Sequence, residues 1–456
     1  MLVYKKWQLG TIIPYISPRS TFIRRSNTKI SRPFQRGIHS TGGLDIETAP
    51  PPNTETPLQK LIYGSIQAKG PISVAQYMQM CLSHPVEGYY MKGEPIGARG
   101  DFITSPEISQ VFGELVGIWL ASQWLEHGQS RPIQVVELGP GRGTLMDDIL
   151  RTLGSIRQTR GRVQGVHLVE TSINLREEQK NRLGARILEA SLYWHDRVED
   201  IPKDDDTFTL LVAHEFFDAI PIHIIEKTSE GFQEILIDID QTAQTMTTST
   251  ISPPVNTSSP LVNNSTPKHQ PPIFRYVLSG RLSPLAHTLG NSSPRFSKAP
   301  YGSRIEVSPA SWDIACAIGE VIARGGGGAG LVIDYGDDRA FGSSFRAFQK
   351  HKLVDVFHQP GLSDLTANVD FAYLKEAFRS TPTTTHGPIT QRAFLKSMGA
   401  PIRLHRLLQA AKDDETRERL RTGATRLMDL LGMGGQYKVL GVTSGEKRGE
   451  VYPFGV

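Results

Sequence analysis

The sequence is poor in cysteine and in long apolar runs. Cys81 and Cys316 are the two cysteines among 456 residues, and they lie far apart without forming a CxxC motif. Two such cysteines cannot build a disulfide framework, which suits a reducing compartment. No apolar run approaches the roughly 18–20 residues that span a bilayer. We therefore predict no transmembrane segment.

Acidic residues are missing from the start of the chain. The first is Asp45, and eight cations precede it; without these eight, 42 basic residues face 46 acidic ones. A basic, hydroxyl-rich and acid-free start is typical of a mitochondrial presequence, and RGIHST (36–41) resembles a matrix-processing site. A basic disordered tail for nucleic acid or a membrane is the alternative. The remainder carries no basic footprint, so we predict a mildly acidic matrix protein with no nucleic-acid partner.

Composition and periodicity divide the chain. From Pro132 onward apolar strands alternate with helical patterns, which predicts an α/β fold with a doubly wound, mostly parallel sheet. Segment 241–272 is mostly Thr, Ser, Pro, Asn and Gln, so we expect a disordered insertion at a hairpin tip. The expected divisions are a presequence (1–42), a linker (43–57), an N-terminal helical cap (58–130), the α/β core (131–443) with C-terminal helices (388–430), and a tail (444–456).

Individual elements follow from the same patterns. We expect a helix from Leu58 to about Cys81, and a second helix with Ser105 as N-cap and Pro106 as its first residue. A C-terminal helical region has one expected break, near 399–401. The expected core strands are 133–138, 163–170, 187–194, 208–217, 328–336 and 436–442.

A glycine-rich turn, ELGPGRG (137–143), joins the first core strand to a helix. Its glycines are Gly139, Gly141 and Gly143. A dinucleotide fold spaces its glycines G-x-G-x-x-G around a pyrophosphate, and here the spacing is one residue short. Pro140 also removes one N–H donor, and Glu137 would repel phosphate. S-adenosylmethionine lacks phosphate and carries an ammonium and a sulfonium group, so a carboxylate beside the turn favours that cofactor.

A second acid, Glu170, ends the next strand. A carboxylate there can accept hydrogen bonds from both ribose hydroxyls of an adenosine. Glu170 lies 27 residues beyond Gly143, more than the roughly 20 usual for dinucleotides. The two acids favour a methyltransferase over a nucleotide-dependent oxidoreductase, which stays open as an alternative. A tight turn without any ligand is the third interpretation.

Seven blocks of sequence occur in a characteristic order: GDFITSPEISQVFGELVGIW, VVELGPGRGTLMDDILR, VHLVETS, HEFFDAIPIH, VIDYG, DLTANVDF and GPITQRAFL. Together they resemble the MidA family of S-adenosylmethionine-dependent methyltransferases, from about residue 58 to 443 without the insertion. The resemblance implies a class I methyltransferase (Rossmann-like) core that uses S-adenosylmethionine. Mitochondrial members are protein arginine methyltransferases that assist complex I assembly. It therefore implies methylation of an arginine on a matrix-arm subunit of complex I.

The resemblance also assigns residues. The cofactor positions of the family match Glu137, Gly139, Gly141, Gly143 and Glu170, and Thr104 and Ser105 belong to a block (100–109) that closes over the cofactor and the acceptor. His214 departs from the family, which usually has Asn before Glu-Phe-Phe-Asp. His offers one donor and one acceptor when neutral, whereas Asn offers an amide and a carbonyl group.

An arginine acceptor needs carboxylates, because a guanidinium is cationic and a poor nucleophile. We expect Glu215 and Asp218, at the end of the fourth core strand, to be catalytic, although Asp218 could instead cap a turn. The expected substrate-site residues are His214, Phe216, Phe217, Glu107 and Tyr335. The phenylalanines could instead be core residues, and Glu107 could be a helix-dipole partner. Helix capping is an equally simple role for Asp364, Thr366 and Asp370.

Two further points concern function. A non-catalytic assembly chaperone that retains a cofactor-binding fold is the alternative to the enzyme. The histidines lack ligand spacing, so no metal site is expected. The sequence does not determine the oligomeric state or the acceptor arginine.

Overall fold

The structure is a computed structural model that describes residues 55–92, 103–128, 130–187, 190–202, 204–241, 273–445 and 449–455. The predicted presequence, nearly all of the predicted linker, and the predicted insertion beyond Gln241 lie outside these ranges. Within them, no helix has both the length and the apolar character needed to cross a bilayer.

The described ranges contain both strands and helices. The strands are β1 (Ile72–Ser73), β2 (Ile133–Leu138), β3 (Val163–Val169), β4 (Ser191–His195), β5 (Phe208–His214), β6 (His223–Thr228), β7 (Gly231–Ile239), β8 (Phe274–Leu278), β9 (Arg304–Val307), β10 (Gly328–Asp337), β11 (Arg346–Gln349), β12 (Lys352–Val354), β13 (Asp364–Thr366), β14 (Val369–Asp370), β15 (Thr383–Thr390) and β16 (Tyr437–Ser444). The α-helices are Pro57–Lys69, Val74–Ser83, Ser105–Ile108, Gln110–Gln123, Thr144–Ser155, Ile173–Leu183, Pro284–Gly290, Pro294–Ser297, Pro309–Ile322, Phe371–Phe378, Gln391–Ser397, Ala400–Ala410, Asp414–Met428 and Met433–Gln436.

A mixed eight-stranded sheet forms the centre of the molecule. Its order is β15-β16-β10-β5-β2-β3-β4, with β14 beside β10. The pairs from β10 through β4 are parallel, whereas β16 is antiparallel to both β10 and β15. The carboxyl ends of β2, β3, β5 and β10 therefore meet along one edge of the sheet. Loops at that edge are where α/β proteins bind ligands.

Alternate residues of each central strand pack into different apolar layers. Val135 faces a layer that includes helices Gln110–Gln123 and Thr144–Ser155. Its neighbour Val136 faces a layer that includes helices Pro309–Ile322 and Phe371–Phe378. Residues of β2 are buried throughout, as expected for a strand covered on both faces. This burial explains why the core strands read as continuous apolar runs.

A second, antiparallel sheet runs in the order β1-β7-β6-β9, with β8 paired to β7. Helices Pro57–Lys69 and Val74–Ser83 pack against it through residues such as Leu58 and Tyr77. Helix Gln110–Gln123 packs instead on the main sheet. The segment predicted as a helical cap, 58–130, thus divides between two cores. The β7–β8 pairing also confirms the hairpin predicted around the insertion.

Several predicted boundaries were wrong for local reasons. The helix expected from Leu58 to Cys81 is interrupted at Gly70, where φ is 85°, and restarts with Ser73 as N-cap. Thr104, not Ser105, is the N-cap of the next short helix, which ends at Ser109 because Ser109 caps a new helix. The C-terminal helical region has an additional break, after which Asp413 caps helix Asp414–Met428. The predicted strand 436–442 is confirmed as β16, which lies inside the sheet beside the edge strand β15.

Candidate active site

A cavity of about 380 Å³ opens at the carboxyl edge of the main sheet. Most of the residues predicted from the sequence line it. These are Thr104, Glu107, Glu137, Gly139, Gly141, Glu170, His214, Glu215, Phe216, Asp218 and Tyr335. Three other predicted residues do not line it: Ser105, Gly143 and Phe217. The β-strand ends therefore bring the predicted cofactor and acceptor residues to one site.

The glycine turn needs its glycines for backbone reasons. Gly139, Gly141 and Gly143 have φ values of 62°, 51° and 74°, which side-chain-bearing residues rarely adopt. A Cβ on Gly139 would also lie only 2.9 Å from Cδ2 of Phe216. Gly143 is the N-cap of helix Thr144–Ser155, which explains why it supports the turn without lining the cavity.

The predicted cofactor residues, which include Glu137 and Glu170, line what we call the cofactor end of the cavity. Glu137 has the most unusual side chain there. It is 2% exposed, and its Oε2 has no hydrogen-bond partner among the described residues. Burial raises the pKa of Glu137 to about 8, although a hydrogen bond from the backbone of Met146 partly opposes the shift. A buried carboxyl oxygen without a donor is costly unless a ligand supplies one. A cationic or N–H-bearing ligand fits this requirement.

Glu170 is held by the turn that follows β3. The Ser172 amide donates to Oε1 at 2.8 Å, and the Gln179 side-chain amide lies 3.3 Å from Oε2. The same Gln179 nitrogen donates to the Gly141 carbonyl at 2.7 Å. Burial raises the pKa of Glu170 against these hydrogen bonds. Gln179 therefore connects the glycine turn to Glu170. No local sequence pattern signals this role.

Glu107 links the short helix Ser105–Ile108 to the glycine turn. Its carboxylate accepts a hydrogen bond from the hydroxyl of Thr144, the first residue of the helix after the turn. Glu107 therefore has a tertiary partner in addition to its place in a first helical turn. Thr104, beside it, also lines the cavity.

Glu215, Asp218 and Tyr335 are predicted acceptor residues, and we call the part of the cavity that they line the acceptor end. The Glu215 φ of 49° is left-handed, a conformation that costs a non-glycine residue about 1–3 kcal/mol. Burial, and then the nearby charge of Asp218, raise the pKa of Glu215 to about 8. Hydrogen bonds from the Ser105 backbone and the Tyr437 hydroxyl act in the opposite direction. Ser105 thus contributes through its amide, from behind Glu215.

His214 lies directly against Glu215. Its Nε2 is 3.3 Å from Glu215 Oε1, but the two atoms lack hydrogen-bond geometry, and neither has another partner among the described residues. Burial lowers the pKa of His214 to about 3, so the ring is neutral at physiological pH. The ring packs 5.0 Å from that of Phe112. His214 therefore adds no positive charge to the acceptor end.

Asp218 lines the cavity, and its carboxyl group also has a hydrogen bond from the Ala219 backbone in the same turn. The hydroxyls of Tyr335 and Thr366 both donate to its Oδ2, the latter at 3.0 Å. Burial raises the pKa of Asp218. Its backbone is fixed by Asp334, whose Oδ2 accepts from the amides of Phe217 and Asp218 at 3.0 and 3.3 Å. Phe217 itself is a core residue, as its alternative interpretation held.

A further carboxylate of the cavity, Asp364, accepts from the Tyr90 hydroxyl at 3.0 Å. Capping was an alternative role for Asp364, Thr366 and Asp370, but only Asp370 acts as a cap, for helix Phe371–Phe378. Tyr90 and the direct contact of Thr366 with Asp218 were not predicted from the sequence. Paired tyrosines in a Gly/Pro-rich loop are the only sequence signal for Tyr90.

Comparison with known proteins decides the family. The family model described as "Putative S-adenosyl-L-methionine-dependent methyltransferase" matches residues 115–389. The chain belongs to this methyltransferase family. The predicted enzyme class and the cofactor S-adenosylmethionine are thereby confirmed, which sets the oxidoreductase alternative aside.

Curated relatives of this methyltransferase cover most of the chain. It is 37% identical over 401 residues to "Protein arginine methyltransferase NDUFAF7, mitochondrial" of Danio rerio, covering 84% of this chain and 86% of the relative. The Homo sapiens protein of that name is 36% identical over 423 residues, covering 88% and 86%. The Drosophila melanogaster homologue is 37% identical over 408 residues, covering 85% of each. These names confirm the predicted mitochondrial localisation.

A solved structure confirms the α/β fold of the methyltransferase. The crystal structure of a COG1565 superfamily member from Burkholderia thailandensis, bound to S-adenosyl-homocysteine, superposes with a TM-score of 0.65. It is 23% identical and covers 86% of this chain and 93% of that one. The similarity therefore covers most of the chain and is not limited to the glycine turn.

The residues of the cavity fit S-adenosylmethionine. Glu137 has an unpartnered carboxyl oxygen that could accept from the ammonium group, Glu170 has a carboxylate that could accept from the ribose hydroxyls, and the glycine turn would admit close backbone approach. When bound, the cofactor supplies an electrophilic methyl group. Among the described residues, no group of three His, Cys, Asp or Glu side chains could hold a metal ion.

Proposed function

We propose that the chain is a protein arginine methyltransferase of the mitochondrial matrix that methylates a matrix-arm subunit of complex I and so promotes its assembly. The observation that carries the arginine assignment is the trio of carboxyl groups around one end of the cavity, of which Asp218 and Asp364 are buried and Glu215 has a side chain only 12% exposed. The names of the curated relatives support the same acceptor. In this proposal the main sheet is the doubly wound class I core, and helices Pro57–Lys69 and Val74–Ser83 belong to its cap.

The acceptor end is suited to bind a guanidinium. Burial raises the pKa of both Glu215 and Asp218, so without a cation the pair disfavours ionisation. An entering guanidinium compensates the buried negative charge and lowers both pKa values. Carboxylates bind guanidinium through paired N–H···O bonds, which fixes the plane of the acceptor. Binding and ionisation of the site are thus coupled.

The same carboxyl groups prepare the nucleophile. A guanidinium nitrogen becomes nucleophilic as its proton leaves, and Glu215 is placed to accept that proton as general base. The hydroxyls of Tyr335 and Thr366 hold Asp218 in one orientation, so the acceptor plane is fixed before reaction. Phe216 lines the cavity between the two ends and helps to exclude water.

The test uses the full chain with methyl-labelled S-adenosylmethionine and isolated matrix-arm subunits of complex I. We expect label on an arginine, mapped by mass spectrometry, and about 10²–10³-fold less label with Glu215→Gln, which preserves shape but cannot ionise. Label on lysine or on a small molecule would contradict the acceptor. If cells that carry Glu215→Gln assemble complex I normally, the non-catalytic chaperone hypothesis is favoured.

A further inference from the structure

A second recess lies beside the active-site cavity. Its charged lining residues are basic, whereas those at the acceptor end of the cavity are acidic. The recess is an open groove of about 580 Å³, lined by three arginines together with small and apolar residues. The arginines are Arg304, Arg339 and Arg346. Among the described residues that line it there is no Asp or Glu. We call it the arginine groove.

The arginine groove is connected to the acceptor end through one stacked pair. The Arg346 guanidinium carbon lies 4.9 Å from the centre of the Tyr335 ring. The Tyr335 hydroxyl donates to Asp218, and Tyr335 also lines the acceptor cavity. The groove and the cavity therefore share a wall that is two side chains thick.

The floor of the groove is built before any ligand arrives. The buried Glu306 carboxylate accepts from the amides of Ser344 and Phe345 at 2.6 and 3.1 Å, and from the Ser344 hydroxyl. Arg346 donates to the Asn368 side chain at 2.7 Å and to the Ser344 carbonyl at 3.0 Å. The Glu306 carboxylate is therefore already bound by donors from residues 344 and 345.

The arginines of the groove retain capacity for an anion. Among the described residues, Arg346 has no carboxylate within salt-bridge distance. Arg339 stacks on Phe341 at 4.4 Å, and its nearest carboxylate, Asp337, is 3.9 Å away. Arg304 pairs with Glu226 at 2.9 Å through Nε. Because a guanidinium has five N–H donors in a planar fork, each arginine can still bind a carboxylate.

We propose that the arginine groove binds an acidic side chain of the substrate protein, within a few residues of the arginine to be methylated. This inference rests on the proposed function, because it takes the acceptor to be an arginine in a polypeptide. The acidic cavity would take the cationic side chain, and the basic groove would take the neighbouring anionic one. The substrate class is therefore an arginine with an aspartate or glutamate close by in the chain.

The test measures binding of fluorescent peptides to the full chain in S-adenosyl-homocysteine. Each peptide has one arginine and one aspartate, placed at each position up to six residues away on either side, a reach of roughly 20 Å when extended. Matched peptides carry asparagine instead. We expect at least one aspartate peptide to bind about fivefold more tightly than its asparagine partner, with the preference lost in high salt.

The variant Arg304→Gln/Arg339→Gln should remove this preference. The control Arg421→Gln alters an arginine whose side chain is 58% exposed on the C-terminal helix Asp414–Met428, and it should leave the preference intact. Equal affinity for aspartate and asparagine peptides at every position, or a preference that persists in the double variant, would overturn the inference. Tight binding of inorganic phosphate without a peptide preference would also overturn it, by assigning the groove to a free anion.

Methyl transfer to the same peptides is measured separately. A binding preference without transfer to arginine would contradict the proposed function and leave the groove assignment standing. Methyl transfer to arginine without a binding preference would support the proposed function and overturn the groove assignment.

Discussion

The two ends of the active-site cavity are built differently. At the cofactor end, Glu137 and Glu170 lie at the ends of neighbouring strands, and the hydrogen bonds to their carboxyl groups come from the same two βα units. At the acceptor end, Asp218 is bonded to Thr366, 148 residues away, and Asp364 to Tyr90, 274 residues away. The cofactor end is thus a local product of the fold, whereas the acceptor end is assembled from distant segments.

This difference matters for specificity. A cofactor end made by contiguous βα units can be kept while loops from elsewhere in the chain change the acceptor end. The two ends also differ in the hydrogen-bond partners of their carboxyl groups. Among the described residues, one carboxyl oxygen of Glu137 has no hydrogen-bond partner, so a ligand could supply its donor. Asp218 already has two hydroxyl donors that orient it.

The largest expected effect is at the acceptor end. Glu215→Gln should lower kcat by about 10²–10³-fold, because the amide cannot accept the proton. Calorimetry should show cofactor affinity within about twofold of the parent chain, since the amide retains the shape of the acid. The control Asp413→Asn lies at a distant helix cap and should leave kcat unchanged. A large loss of cofactor affinity in Glu215→Gln would show that the two ends are not separable.

Next in size is the complementary change at the cofactor end. Glu137→Ala should weaken S-adenosylmethionine binding roughly ten- to hundredfold, the value of a hydrogen bond to a charged group. Arg142→Gln is the matched control; Arg142 also lines the cavity but is paired with Glu178 at 2.6 Å. Isothermal titration calorimetry ranks the two variants. A greater loss with Arg142→Gln would refute the role assigned to Glu137.

A smaller effect is expected from the distant support of the acceptor end. Tyr437→Phe removes a hydroxyl that lowers the pKa of Glu215, so kcat should fall about fivefold. The pH at which activity rises should also move upward, because Glu215 then ionises less readily. A pH–rate profile tests this directly; an unshifted profile would reduce Tyr437 to a packing residue.

The last effect is on stability, away from catalysis. The pKa values of Glu137 and Glu215 are raised from 4.5 to about 8, so the folded chain binds these protons more tightly than the unfolded chain. Their stabilising contribution is complete below pH 4.5 and is lost as pH rises through about 8. The Tm of the ligand-free chain should therefore decline across this window, and Glu137→Gln should flatten the decline. Identical Tm–pH slopes for the two chains would contradict the raised pKa of Glu137.

Much of the fold could be predicted because its signals are local. The strand 133–138 lies where the apolar pattern placed it, and the strand predicted at 328–336 is one residue longer. Boundaries failed where single residues intervene, as at Gly70, whose positive φ ends a helix. The division of segment 58–130 between two cores could not be predicted, because each of its helices has an apolar surface and only packing shows which sheet that surface covers.

The sequence by itself determined the βα units, the glycine turn and the acids at the strand ends, because each depends on a few adjacent residues. Parallel strands then align those acids at one edge, which is why Glu137, Glu170 and Glu215 were found together. Only the tertiary structure decided which hydroxyls orient Asp218, which carboxyl groups are buried enough to raise their pKa, and that three arginines meet beside Tyr335. These properties depend on contacts between residues far apart in the chain and on exclusion of water, and neither is encoded in local spacing.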